Sequence, residues 1–212
     1  MQVVAAGQQP SLNGEASTSS AAAAPEEPAA DDAQEAEEAE EADEEDDDEE
    51  DLEPEERVRR FIDGGKPALE LLDLLGDLDI SGGLVGKMKV FYAALLGGRE
   101  GKLTERIAPR DKYVLALKRD EKHQASNLIA LEHYVTQVEP ERMSEMPFLL
   151  KMLYEEDLVE DAVIIGWGGA PKVAKKHGVD EESATKIRAA CEKVLEWLEE
   201  DSDEEEDDED DE

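Results

Sequence analysis

Every one of the 22 Lys and Arg residues in this 212-residue chain falls between positions 57 and 198, whereas its 59 Asp and Glu residues are spread along nearly the whole length. Residues 1–56 hold 22 acids and residues 199–212 hold 13, with no base in either stretch, so the two ends carry -35 of the formal charge of -37. Acid interrupted only by small or polar residues cannot bury enough apolar surface to offset the entropy of ordering the chain. A fold must therefore be built from what lies between. That segment has 22 bases against 24 acids and contains all nine aromatics: Phe61, Phe91, Tyr92, Tyr113, Tyr134, Phe148, Tyr154, Trp167 and Trp197. Its 142 residues suit one domain. The organisation expected is a disordered acidic linker over 1–56, a folded domain over 57–198 and a disordered acidic tail over 199–212.

The same charge excludes several classes of function. A polyanion repels nucleic-acid phosphate, so no direct nucleic-acid partner is expected. The longest apolar run, residues 90–96, is seven long, far short of the roughly 18 residues that read as a membrane span. The N-terminus has neither the basic start and apolar stretch of a secretory signal nor the Arg-rich, acid-poor character of a transit peptide, which points to the cytosol. A lone Cys191 cannot form an internal disulfide or a cysteine cage for zinc, and His123, His133 and His177 lack ligand spacing, so no metal or cofactor is expected.

The middle segment reads as helix throughout. Leu84, Met88, Phe91 and Leu95 recur at steps of four, three and four between glycine pairs at 82–83 and 97–98, which is the period of an amphipathic helix. Residues 67–78 give another, with Leu71, Leu72, Leu75 and Leu78 as the buried face and Pro67 in the first turn. Residues 110–118, 124–138, 146–154 and 158–167 repeat the pattern, with Pro140 as a break. In the last helix Ile187, Cys191, Val194 and Leu198 form one stripe, flanked by Ala190, Leu195 and Trp197. No strand-like alternation competes. The fold class expected is all-α, a stack of antiparallel helix pairs.

No catalytic constellation emerges from the residues. The glycines do not sit between a strand and a helix as phosphate-binding loops require. Carboxylates are too abundant for any pair to stand out as acid and base, and Cys191 lies on an apolar helix face. What does stand out is acid beside aromatics at two places. Glu155, Glu156, Asp157, Glu160 and Asp161 lead to Trp167, and Trp197 is flanked by Glu196, Glu199, Glu200 and Asp201. Each Trp could simply close the edge of the core with the acids as a solvated face. Alternatively, exposed rings among carboxylates would accept a lysine-rich segment, the ring giving desolvated area and cation–π attraction and the acids giving steering. A Trp at a helix edge can serve both purposes.

The stretches MLYEEDLVEDAVIIGW (152–167) and IRAACEKVLEWLEE (187–200) resemble the two acidic and aromatic boxes of a known family. This is the two-tryptophan, HEAT-like domain at the C-terminus of eukaryotic translation initiation factor 5, shared with the epsilon subunit of exchange factor two-B and with the factor-five mimic proteins. The resemblance runs from about Phe61 to the C-terminus, and the acidic linker and tail are nearest to factor five itself. It implies a monomeric scaffold that assembles the pre-initiation complex by holding lysine-rich segments of the beta subunit of factor two, the c subunit of factor three and factor one. It assigns that role to Glu155, Glu156, Asp157, Glu160, Asp161, Trp167, Trp197, Glu199, Glu200 and Asp201, and Glu196 joins the partner-binding candidates as an acid beside Trp197. After Trp167 the chain has Gly168-Gly169-Ala170-Pro171 where relatives usually continue with polar, helix-compatible residues. With one Cys and no Arg before Arg57, the chain is expected to lack the zinc site and the GTPase-activating arginine of full-length factor five. It is therefore expected not to be an enzyme, and to be a C-terminal portion of the factor or a short relative.

Two rivals remain at the level of sequence: an acidic chaperone for basic proteins, acting through the acidic ends, and a nucleotide-exchange regulator of factor two like the epsilon relative. Lys87, Lys89, Arg106, Arg110, Lys112, Lys118 and Arg119 gather in the first half of the domain and offer a second, basic surface for an acidic partner, spacing for solubility being the plainer account. Ser202, followed by Asp203 and three glutamates, has the acidic context favoured by acid-directed kinases.

Overall fold

The computed structural model describes residues 52–208, with side chains described as far as residue 202. The expected N-terminal linker lies almost wholly outside the described residues. Ten α-helices follow in order: α1 (Pro54–Asp63), α2 (Leu71–Asp77), α3 (Gly83–Leu96), α4 (Leu103–Ile107), α5 (Asp111–Ala116), α6 (Glu121–His133), α7 (Met146–Glu155), α8 (Asp161–Gly169), α9 (Pro171–Lys175) and α10 (Glu181–Asp208). Short 3-10 turns precede α2, α5 and α7, and a π-helical turn, Tyr134–Val138, prolongs α6. There is no strand among the described residues.

Packing proceeds from neighbour to neighbour. Helix α3 lies between α1 and α6, α6 packs on α8, and α10 packs on α7, α8 and α9. The stripe read from the sequence of α3 is buried at Met88, Phe91 and Leu95, each at most 1% exposed. In the second helix Leu71, Leu75 and Leu78 are buried while Leu72 is half-buried, and Pro67 stands one residue ahead of a 3-10 turn rather than inside the helix. Two starts are capped by carboxylates, with Asp120 accepting from the His123 amide and Asp180 from the Ser183 amide, both at 2.8 Å. Such caps satisfy amide donors that the helix leaves open.

The glycines after Trp167 have a packing role. A Cβ on Gly168 would stand 2.7 Å from Leu195 Cδ1, so its bare backbone permits the close approach of α8 to α10. Ala170 then leaves helical geometry at φ -120, and Pro171 opens α9. The domain boundaries also differ from expectation. The first helix begins at Pro54, and the last continues past 198 to Asp208, ten residues into the segment expected to be disordered. Glu propagates a helix well once neighbouring turns have nucleated it, and the packed turns around Ile187 and Leu198 supply that nucleus.

Candidate partner-binding site

The two tryptophans occupy different environments. Trp167 belongs to the buried stripe of α8 with Val163 and Ile164 and is 6% exposed. Its indole Nε1 donates to Glu132 Oε2 at 2.9 Å. Glu132 on α6 is fully buried, and Arg188 on α10 meets it with both terminal nitrogens, Nη2 at 3.2 Å from Oε2 and Nη1 in a short contact with Oε1. Arg188 Nε donates to the Trp167 carbonyl at 3.1 Å, and the guanidinium stands 4.4 Å from the Trp167 ring centroid. Trp167, Glu132 and Arg188 thus form one interior knot that ties α6, α8 and α10 together. Of the two readings open for Trp167 in the sequence, the structure has the ring closing the core, because it shares the inward side of α8 with Val163 and Ile164.

Trp197 is half-buried at the seam between α7 and α10 and packs partly against the core. The Tyr154 ring meets it edge-on, with centroids 5.5 Å apart and an interplanar angle of 79°. The Tyr154 hydroxyl donates to Asp201 Oδ2 at 2.7 Å, one turn further along α10. Lys151 Nζ stands 4.9 Å from the Trp197 centroid. Beside the ring opens a groove of about 410 Å³ lined by Pro147, Phe148, Lys151, Ala190, Lys193, Val194 and Trp197. Phe148 is 70% exposed there, the most exposed aromatic of the described domain. Its presence was legible in principle: Met146, Leu149, Leu150 and Leu153 form the inward stripe of α7 and leave Phe148 on the outer face.

The carboxylates divide between two sides of α10. At about 100° per residue, Glu200 and Asp201 share the side of Trp197, whereas Glu196 and Glu199 turn away from it. With Glu192 they line a second groove of about 480 Å³, whose apolar floor includes Pro171 and Leu195. The first acidic run is largely engaged within the domain. Glu155 pairs with Lys151 at 3.3 Å, Asp157 with Lys118 at 2.7 Å, and Glu160 accepts from Gln124 Nε2 at 2.9 Å. Asp157 adopts a left-handed φ of 53 as the chain leaves α7, and Leu158 and Val159 behind it are buried. Glu156 is exposed and Asp161 half-buried in the first turn of α8.

The basic residues do not act alike. Arg106 is 4% exposed and donates to the Leu96 and Gly101 carbonyls and to both oxygens of Glu139, so it is a core residue and is removed from the expected basic surface. Its guanidinium satisfies backbone carbonyls where α3 and α4 meet, a demand that the linear sequence does not display. Arg110 bonds the Arg106 carbonyl, Lys87 the Gly76 carbonyl and Lys89 the His177 carbonyl. Lys112 lies over Tyr113, and Arg119 is exposed. Ser202 is half-exposed on α10. Cys191 is fully buried, and burial pushes its thiol up to about 12, which suits a small apolar residue better than a nucleophile. No three His, Cys, Asp or Glu side chains among the described residues are arranged to hold a metal ion, and no described helix is long and apolar enough to cross a membrane.

Residues 123–208 match the family model W2, described as eIF4-gamma/eIF5/eIF2-epsilon. The chain is 34% identical over 100 residues to eukaryotic translation initiation factor 5 of Mus musculus, covering 47% of this chain and 23% of that protein. It is 31% identical over 106 residues to the factor 5 of Zea mays, covering 50% of this chain and 22% of that one. The probable factor 5 of Schizosaccharomyces pombe is 35% identical over 83 residues, 39% of this chain and 20% of that protein. The match therefore spans less than a quarter of the length of these relatives. Among solved structures, the C-terminal domain of translation initiation factor 5 at low pH is similar over 76% of this chain and 87% of that one, with 22% identity and a TM-score of 0.39.

Proposed function

From the match of residues 123–208 to the W2 family model of eIF4-gamma/eIF5/eIF2-epsilon, we propose that this chain works in translation initiation as a non-catalytic scaffold holding lysine-rich segments of other initiation factors. Candidates are the beta subunit of factor two, the c subunit of factor three and factor one. The observation that carries this reading is the half-buried Trp197, set beside Phe148 in an open groove, with Glu155 paired to the groove residue Lys151 and Asp201 bonded to the Tyr154 that meets the ring. A partner in which Lys alternates with apolar residues fits it: the apolar side chains enter the groove and the ammonium groups meet the carboxylates.

Energetics assign different work to ring and acids. Exposed ion pairs contribute only about 0.2–1 kcal/mol each, whereas micromolar affinity needs about 8 kcal/mol. Several pairs plus an aromatic anchor are required. The acidic ends attract a basic partner over a distance set by salt, about 8 Å at physiological ionic strength, and raise encounter rate more than affinity. Glu192, Glu196 and Glu199, on the other side of α10, extend the acidic surface to a second groove. A longer partner could then cross α10 and use both.

The test is a titration of a fluorescent lysine-rich peptide against the full chain and against a chain lacking residues 199–212, across a salt series. A scaffold retains a salt-resistant component through Trp197 after truncation. Loss of nearly all binding on truncation would favour a chaperone acting through the acidic tail instead. Accelerated nucleotide release from factor two in a parallel assay would favour the exchange regulator.

A further inference from the structure

We propose that Lys151 is a built-in competitor for the cation site on Trp197, which a lysine-rich partner must displace before it reaches the ring. This rests on the scaffold reading above and adds regulation to the same site. Three cations stand over aromatic rings among the described residues: Lys112 over Tyr113, Arg188 over Trp167 and Lys151 over Trp197. Tyr113 and Trp167 are buried, so Trp197 is the one ring of the three that a partner can reach. One face of that ring is already taken by the chain's own ammonium at 4.9 Å.

The contact is held from both ends. Glu155, one turn on along α7, pairs with Lys151 Nζ at 3.3 Å and keeps the side chain laid along the helix toward α10. Tyr154, between them in sequence, meets Trp197 edge-on and is bonded to Asp201, which limits how the indole can turn to offer another face. Lys151 is half-exposed, with 49% of its side-chain area open to solvent. It can therefore swing into water without exposing core. A partner lysine arriving at the groove finds the ring occupied and Glu155 neutralised, and its own ammonium makes contacts equivalent to those it displaces. The consequence is selection. A single lysine gains nothing over Lys151, whereas a segment that also fills the groove beside Phe148 gains the apolar contact that Lys151 cannot supply.

Lys193 makes a control, because it lines the same groove, carries the same charge and stands over no ring. A lysine-rich peptide is titrated into the full chain carrying Lys151→Met, Lys151→Arg, Lys193→Met, Trp197→Ala, or Lys151→Met with Trp197→Ala, with circular dichroism confirming that each variant is folded. Lys151→Met should bind roughly two- to five-fold tighter than wild type, the weight of one exposed cation–π contact. Lys151→Arg, which keeps a cation over the ring, should show no gain, and Lys193→Met should gain less than Lys151→Met. The gain should vanish when Trp197 is absent. Equal gains at Lys151 and Lys193, or a gain that survives loss of the ring, would reduce the effect to bulk charge and overturn the competitor. Measurable binding by wild type with no gain in Lys151→Met overturns the competitor alone. Binding by Lys151→Met where wild type shows none supports it, and absence of binding in both overturns it together with the scaffold reading.

Discussion

Trp167 and Trp197 look alike in the sequence, each an aromatic beside a run of acids, yet one is an interior residue and the other a surface residue. The carboxylate that matters to Trp167 is not in its neighbouring acidic run. It is Glu132, on a different helix, buried and paired with Arg188. The carboxylate tied to Trp197 is Asp201, which reaches it through Tyr154. Acid near a tryptophan along the chain therefore marks its neighbour in space at Trp197 but not at Trp167. Which way each helix turns its apolar stripe decides the matter: the stripe of α8 includes its Trp, whereas Trp197 sits at the margin of the stripe of α10.

This contrast is sharpest in stability. Arg188→Ala leaves Glu132 as an unpaired charge in the interior and should cost about 3–5 kcal/mol in urea denaturation. Trp167→Ala should fall in a similar range through cavity formation. Trp197→Ala should cost only about 1 kcal/mol, the weight of an edge-to-face pair and partial burial. Comparable losses at the two tryptophans would erase the distinction between them.

Binding should show the reverse order. Trp197→Ala is expected to weaken a lysine-rich peptide by about 2 kcal/mol or more, as for an interface anchor, against about 0.2–1 kcal/mol for any single Glu→Ala along residues 196–201. Trp167→Phe, which keeps most of the packing, should leave peptide affinity unchanged once the protein is shown to be folded. Isothermal titration of the three variants measures this, and equal losses at Trp197 and at a single glutamate would remove the anchor.

Acid should separate the interior from the surface in another way. Burial and the nearby Lys89 hold His133 below its ordinary value of 6.5, and burial, Lys89 and Lys176 do the same for His177. A depressed histidine resists protonation in the fold, so its contribution is present above about pH 6.5 and is lost as pH falls through the folded value. Glu139 and Glu145 are also held below their ordinary value of 4.5. Burial pushes both up, but it is outweighed at Glu139 by the Tyr134 and Arg106 hydrogen bonds with the Arg106 and Arg142 charges, and at Glu145 by the Leu103 amide, Arg142 and Arg106. Their contribution is present above about pH 4.5 and fades below it. Thermal melts should fall in two stages on acidification, and Glu139→Gln should blunt the second. A modest loss of stability is expected of Tyr154→Phe, which removes the bond to Asp201 and should cost about 0.5–1.5 kcal/mol.

Much of this molecule is legible from its residues. The helical class, the glycine-bounded α3 and the inward faces of α7 and α10 follow from spacing of apolar side chains, because a helix presents every third or fourth residue to the same neighbour. Burial of Cys191 follows from its place on the apolar stripe. The short helices α4 and α9 escaped, since five residues carry too little period to be recognised. So did the buried Arg106, whose partners are the Leu96 and Gly101 carbonyls and a carboxylate, Glu139, 33 residues further along the chain.

Local order of this kind is set by periodicity, and periodicity is a property of the chain alone. What only the packed structure decided is which charges leave water and which side of a helix meets another helix. The knot of Glu132, Trp167 and Arg188 joins three helices separated by up to 56 residues, and the groove of Phe148, Lys151 and Trp197 exists only where α7 and α10 meet. Both depend on long-range contacts, which place residues together for reasons that no single helix contains.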